Sequence, residues 1–67
     1  MPSYLVETYL ARGEADRAAR ELRARCIHVP EDELCFYVFE ATSADEAALV
    51  AQRAGLDPIR VVEAVAW

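Results

Sequence analysis

The sequence predicts a small α+β domain in which strands and helices follow the order βαββαβ. Four strands are expected to form one antiparallel sheet, with both helices on one face. Three observations carry this expectation. Four short runs rich in aliphatic and aromatic residues are interrupted by two stretches with apolar residues at three- and four-residue steps. A polar turn, Pro30-Glu31-Asp32-Glu33, joins the middle two runs as a hairpin. Right-handed crossovers then put both helices on the same side of the sheet. Sixty-seven residues allow one domain, residues 1–67.

The first strand is expected from Ser3 to Leu10, and Gly13 breaks it. From Glu14 to about Arg25 the period becomes helical, with Ala15, Ala18, Ala19, Leu22 and Cys26 on one side. Asp16–Arg20 and Glu21–Arg25 are acid-to-base pairs four residues apart, each worth about 0.2–0.5 kcal/mol on a helix. Cys26 to Val29 forms a short, edge-like strand, and Leu34 to Glu40 is the strongest strand signal. Ser43 to Glu46 fits a capping box, Ser43 at the N-cap and Glu46 reaching back. Ala47, Val50, Ala51 and Ala54 make the apolar face of the second helix. Gly55 stands where a left-handed residue ends a helix, Leu56 supplies the apolar contact beyond it, and Pro58 blocks continuation. Ile59 to Trp67 is the last strand. This is the plan of a ferredoxin-like sandwich, with the first and third strands central.

Twelve acidic against seven basic side chains leave a net charge of −5. Nucleic acid is not expected as a partner, because phosphate neutralisation drives that binding. An anionic membrane surface is disfavoured for the same reason. The first residues carry no basic segment followed by an apolar run, and no apolar stretch approaches the roughly 20 residues of a bilayer span. The expected location is cytoplasmic, with Cys26 and Cys35 reduced and, by preference, buried. All seven basic residues are arginine, so lysine Schiff-base chemistry is excluded for this chain.

Alternation divides each strand into two faces. In the third strand Leu34, Phe36, Val38 and Glu40 oppose Cys35, Tyr37 and Phe39. Both sets are mainly apolar, whereas a half-solvated sheet shows polar residues outside. Two helices shelter only one face. A second copy of the chain is the simplest cover for the other, the alternative being a C-terminus folded across it.

Glu7, Glu40 and Glu63 each interrupt an apolar strand, and the alternation places all three on the open face. Converging carboxylates among apolar groups serve as acid or base, or hold a divalent cation. The alternative is that Glu40 ends its strand in solvent, while Glu7 and Glu63 sit at a wet rim or pair with Arg53 or Arg60. His28, the one histidine, is a metal-ligand candidate with Glu7 and Glu63, although a single exposed edge histidine has a plainer reading. Tyr9, Phe36 and Trp67 are the expected apolar wall of a ligand site. Cys26 and Cys35 fit no zinc or redox spacing. There is no glycine-rich phosphate loop, no nucleophile elbow and no Ser-His-Asp set.

Tyr4-Leu5-Val6-Glu7, the stretch Val29 to Phe36, Phe39-Glu40-Ala41-Thr42-Ser43, Ala54-Gly55-Leu56 and Val61 to Val65 together resemble a group of small bacterial proteins of undefined role. That group includes a nickel-binding member with a ferredoxin-like fold. The resemblance implies a homodimer and binding of a divalent metal such as nickel. Metal-associated members carry a histidine further ahead of the acidic turn than His28, so no nickel ligand is carried over. The leading expectation is a homodimeric module binding a small ligand or divalent metal through carboxylates on the sheet face. The alternative is a cofactor-independent enzyme of cyclase, isomerase or monooxygenase type, with a glutamate as base and Tyr9 or His28 as proton donor.

Overall fold

A computed structural model describes residues 1–9 and 15–65. The elements are β1 (Ser3–Tyr9), α1 (Ala15–Leu22), β2 (Arg25–Val29), β3 (Leu34–Glu40), α2 (Ala44–Arg53) and β4 (Pro58–Ala64). A single 3₁₀ turn at Pro30–Asp32 joins β2 to β3 and ends on Glu33, whose φ is 52°. The four strands form one antiparallel sheet in the order β2-β3-β1-β4, with β1 and β3 central. Only β2 and β3 are neighbours both in the chain and in the sheet, and β1 receives both of its partners from later segments.

The core lies on one side of this sheet. Tyr4 and Val6 of β1 and Cys35, Tyr37 and Phe39 of β3 form one buried cluster with Ala47 and Ala51 of α2 and Leu56. Ala19 and Leu22 of α1 pack against the same cluster, as does Val61 of β4. Small alanines on both helices let their backbones approach the sheet, and large aromatics on the strands fill the space between. Within the described residues no helix is long and apolar enough to cross a membrane.

The second helix has the expected ends, with Ser43 as N-cap, but the Glu46 side chain reaches back to Thr42 rather than to Ser43. The Ser43 hydroxyl accepts the Glu46 backbone N–H at 3.1 Å, satisfying one of the helix's first free donors. The Glu46 carboxylate accepts from the Thr42 hydroxyl. At the other end Leu56 N–H donates to Ala51 C=O and Gly55 N–H to Gln52 C=O, with Gly55 at φ 88°. This is a Schellman end, and buried Leu56 is its apolar contact.

The first helix departs from expectation. It stops at Leu22, three residues short of Arg25, because Arg23 turns left-handed at φ 52°. Ala24 N–H then donates to Ala19 C=O and Arg23 N–H to Arg20 C=O, the same Schellman pattern without glycine. Arg25 and Cys26 therefore belong to β2, and the expected Glu21–Arg25 helical pair is lost. Arg17 and Glu21 form the i,i+4 pair instead, at 2.9 Å between exposed side chains. Cys26 is exposed on the edge strand rather than buried; Cys35 is wholly buried. β4 ends at Ala64, short of the expected Trp67, which lies outside the described residues together with Leu10 and Gly13.

Candidate functional site

Strand register decides which side chains share a face. Across β3, β1 and β4, Val38, Leu5 and Val62 stand in one row, and Phe36, Glu7 and Arg60 in the next. β2 extends these rows with Arg25 beside Val38 and Ile27 beside Phe36. Glu40, Ser3 and Ala64 close one end, while Val29, Leu34 and Tyr9 close the other. This face is opposite the helices. Its apolar residues are half-buried or exposed, Tyr9 at 69% and Ile27 at 57%.

The described residues leave this apolar floor without a covering element, and two of its four strands contribute arginines. Glu7 of β1 lies directly opposite Arg60 of β4, and Arg25 of β2 lies one diagonal step from Glu40 of β3. The strands thus place two acidic and two basic side chains on this face, against −5 for the chain. At the Glu40 end a groove of about 740 Å³ opens between Ser3, Arg23, Arg25, Val38, Glu40 and Ala64.

Glu7, Tyr9, Phe36 and Glu40 are therefore brought onto one face as expected from alternation. Glu63 is not. It pairs with Tyr4, so it lies on the helix side of the edge strand, exposed. Both alternating sets of β4 are apolar, so alternation alone does not say which set turns inward; pairing with β1 fixes it. One extra residue, Ile59, interrupts that pairing where Glu7 and Thr8 meet Arg60 and Pro58. His28 is also on the helix side, opposite Cys35, and exposed. Glu7, Glu63 and His28 therefore form no common ligand set. Among the described residues no three His, Cys, Asp or Glu side chains group to hold a metal ion. Trp67 lies outside the described residues.

Arg23, Arg25 and Arg60 are the polar groups that sequence reasoning left out of the site. Arg25 follows a helical charge pattern that gives no sign of an early stop. Its neighbours Cys26-Ile27-His28-Val29 do carry strand character, and extending that run by one residue would have found it.

On the opposite face two groups have displaced acid–base properties. Burial pushes the Cys35 thiol above its ordinary value, and the neighbouring Cys26 adds to the rise. Burial also holds the Tyr37 phenol well above its usual range, reinforced by Cys35 and Cys26. Neither group is poised as a base near neutrality. Comparison with protein-family models, characterised proteins and solved structures finds no match for this chain.

Proposed function

We propose that this chain is a ferredoxin-like module that acts as a homodimer. Two copies meet across their open sheet faces and enclose a small organic ligand. Support for the arrangement comes from the element order, with β1 and β3 in the sheet centre. The observation that carries the functional reading is the open face itself: Leu5, Phe36, Val38 and Val62 form a continuous apolar floor around the facing pair Glu7 and Arg60. An apolar patch of sheet size on a small domain marks an interaction surface. A two-fold interface requires a self-complementary patch. Balanced acidic and basic groups meet that requirement, and they spare a chain of net charge −5 the repulsion that its other surfaces would impose.

A ligand in this space meets apolar walls, one carboxylate and one guanidinium. It is a compact molecule with an apolar body and a polar end able to donate to Glu7 and accept from Arg60. A divalent metal is the weaker occupant, because the strands bring no three ligating groups together among the described residues.

Sedimentation equilibrium tests the dimer. The wild-type chain is expected to associate at micromolar concentration, and Val38→Glu, which puts a charge in the apolar floor, to sediment as a monomer with an unchanged circular dichroism spectrum. A wild-type chain that remains monomeric at millimolar concentration overturns the reading.

A further inference from the structure

The pairing of β2 with β3 sets Cys26 opposite Tyr37 and His28 opposite Cys35. Cys26 and Cys35 therefore point to the same side of the sheet, one diagonal step apart. Both are free thiols, Cys26 open to solvent and Cys35 wholly buried beneath it. Thr8 stands directly opposite Cys35 on β1, and its buried hydroxyl has no hydrogen-bond partner among the described residues. Tyr37, also buried, stands next to both cysteines. Two thiols and two hydroxyls thus gather on the helix side, away from the face assigned to the dimer.

We propose that Cys26 and Cys35 form a two-thiolate site for a soft monovalent cation, copper(I), or silver(I) as its surrogate. Distances favour this over a disulfide. Diagonal neighbours in an antiparallel pair have Cα atoms about 7–8 Å apart. A disulfide needs Cα atoms within about 7 Å and sulfurs at about 2.05 Å, which requires the backbone to move. Two metal–sulfur bonds of about 2.3 Å each let the sulfurs stay about 4.6 Å apart.

Ligand number selects the metal. Zinc takes four protein ligands in structural sites. No third His, Cys, Asp or Glu joins the two thiols among the described residues, which leaves the two-coordinate geometry of a soft d10 ion. Binding releases one proton from each thiol to solvent and forms two metal–sulfur bonds, with no change of oxidation state. The bound pair carries a net charge of −1. The Thr8 hydroxyl, buried and without a partner among the described residues, stands on the strand position directly opposite Cys35, on the side of the sheet where that charge would form.

The test is an anaerobic titration of the reduced full chain with silver(I), and with copper(I) in competition with bicinchoninate. Native mass spectrometry reads stoichiometry, and near-ultraviolet absorption reads thiolate-to-metal charge transfer. The expected result is one cation per chain, both thiols protected from alkylation, and affinity lowered roughly a hundredfold or more by Cys26→Ser. His28→Ala, which removes no ligand of the proposed site, is expected to bind like the wild type. Cys26 is exposed, so its serine variant keeps the fold, which circular dichroism verifies; the Cys35→Ser result is not needed. Wild-type affinity in Cys26→Ser, or one cation shared between two chains, overturns the site. So does an intramolecular disulfide formed by mild peroxide in a chain that takes up neither ion.

Discussion

Glu7 on β1 and Arg60 on β4 face each other directly across the strand pair, on the side of the sheet that the helices leave bare. Opposite charges in register stabilise a strand pair by about 0.2–1 kcal/mol. In a two-fold dimer the same two groups also face a second copy of themselves.

Reversing one charge should therefore weaken association more than it weakens folding. Glu7→Arg or Arg60→Glu alone should raise the dimer dissociation constant roughly tenfold, equivalent to about 1.4 kcal/mol. The double reversal, Glu7→Arg with Arg60→Glu, should restore most of it, because opposite charges again stand in register across the strands. Sedimentation equilibrium of the four proteins decides the matter. A double variant as weak as the sum of the singles would show that the two charges do not act as a pair.

The two helix ends explain how much of the fold the sequence discloses. Gly55 and Ser43 announce the limits of α2 because their chemistry suits only those positions: a residue without Cβ at positive φ, and a hydroxyl that accepts a backbone N–H. The hairpin is legible through Pro30 and its acidic neighbours. The end of α1 is hidden because Arg23 adopts the same left-handed turn with no residue preference to mark it. The candidate face was half legible. Glu7, Tyr9, Phe36 and Glu40 follow from alternation in β1 and β3, where Glu7 and Glu40 mark the set that turns away from the helices. Glu63 was misplaced because Val61 and Val62 are equally good inward residues; only the register against Val6 puts Val61 toward the core.

Both ends should favour glycine, so exchanges in opposite directions should have opposite signs. Gly55→Ala forces a side chain into φ 88°, and its Cβ would stand 3.1 Å from Nη2 of Arg17. The arginine tip can swing aside, so backbone strain of about 1–2 kcal/mol dominates. At Arg23 that strain is already present, whereas glycine adds about 0.5–1 kcal/mol of chain entropy. Arg23→Gly should therefore stabilise by roughly 0.5–1 kcal/mol, and Gly55→Ala should destabilise by about 1 kcal/mol or more. Urea denaturation of both variants checks the signs. Destabilisation by Arg23→Gly would mean that its side chain contributes more than its backbone costs.

Thr8 offers a test of interior polarity. It is 2% exposed, and its Oγ1 has no partner among the described residues. A buried hydroxyl left unpaired costs about 1–3 kcal/mol. Thr8→Val keeps the shape and removes the hydroxyl, so the metal-free chain should gain about 1 kcal/mol. A chain of this size should then melt some 4–8 °C higher. A loss of stability in calorimetry would show that the hydroxyl already has a partner in solution.

Alkaline pH should unfold this chain earlier than its charge alone suggests. Cys35 is held above 9.0 and Tyr37 above 10.0, the values of the free groups, with burial the largest cause in each. As pH rises past the thiol's ordinary value, the unfolded chain sheds a proton that the folded chain keeps. The unfolded state then binds fewer protons, so stability falls with pH. The contribution is complete below about pH 9 and declines above it, with a limiting slope of about 1.4 kcal/mol per pH unit for each group. The second group joins above about pH 10 and should steepen the loss. Urea midpoints measured from pH 7 to about pH 11 should trace that two-stage decline. Tyr37→Phe should flatten the upper stage and leave the lower one, because phenylalanine has no proton to shed. A midpoint that stays level to about pH 11 would mean that neither the thiol nor the phenol is buried as the fold places them.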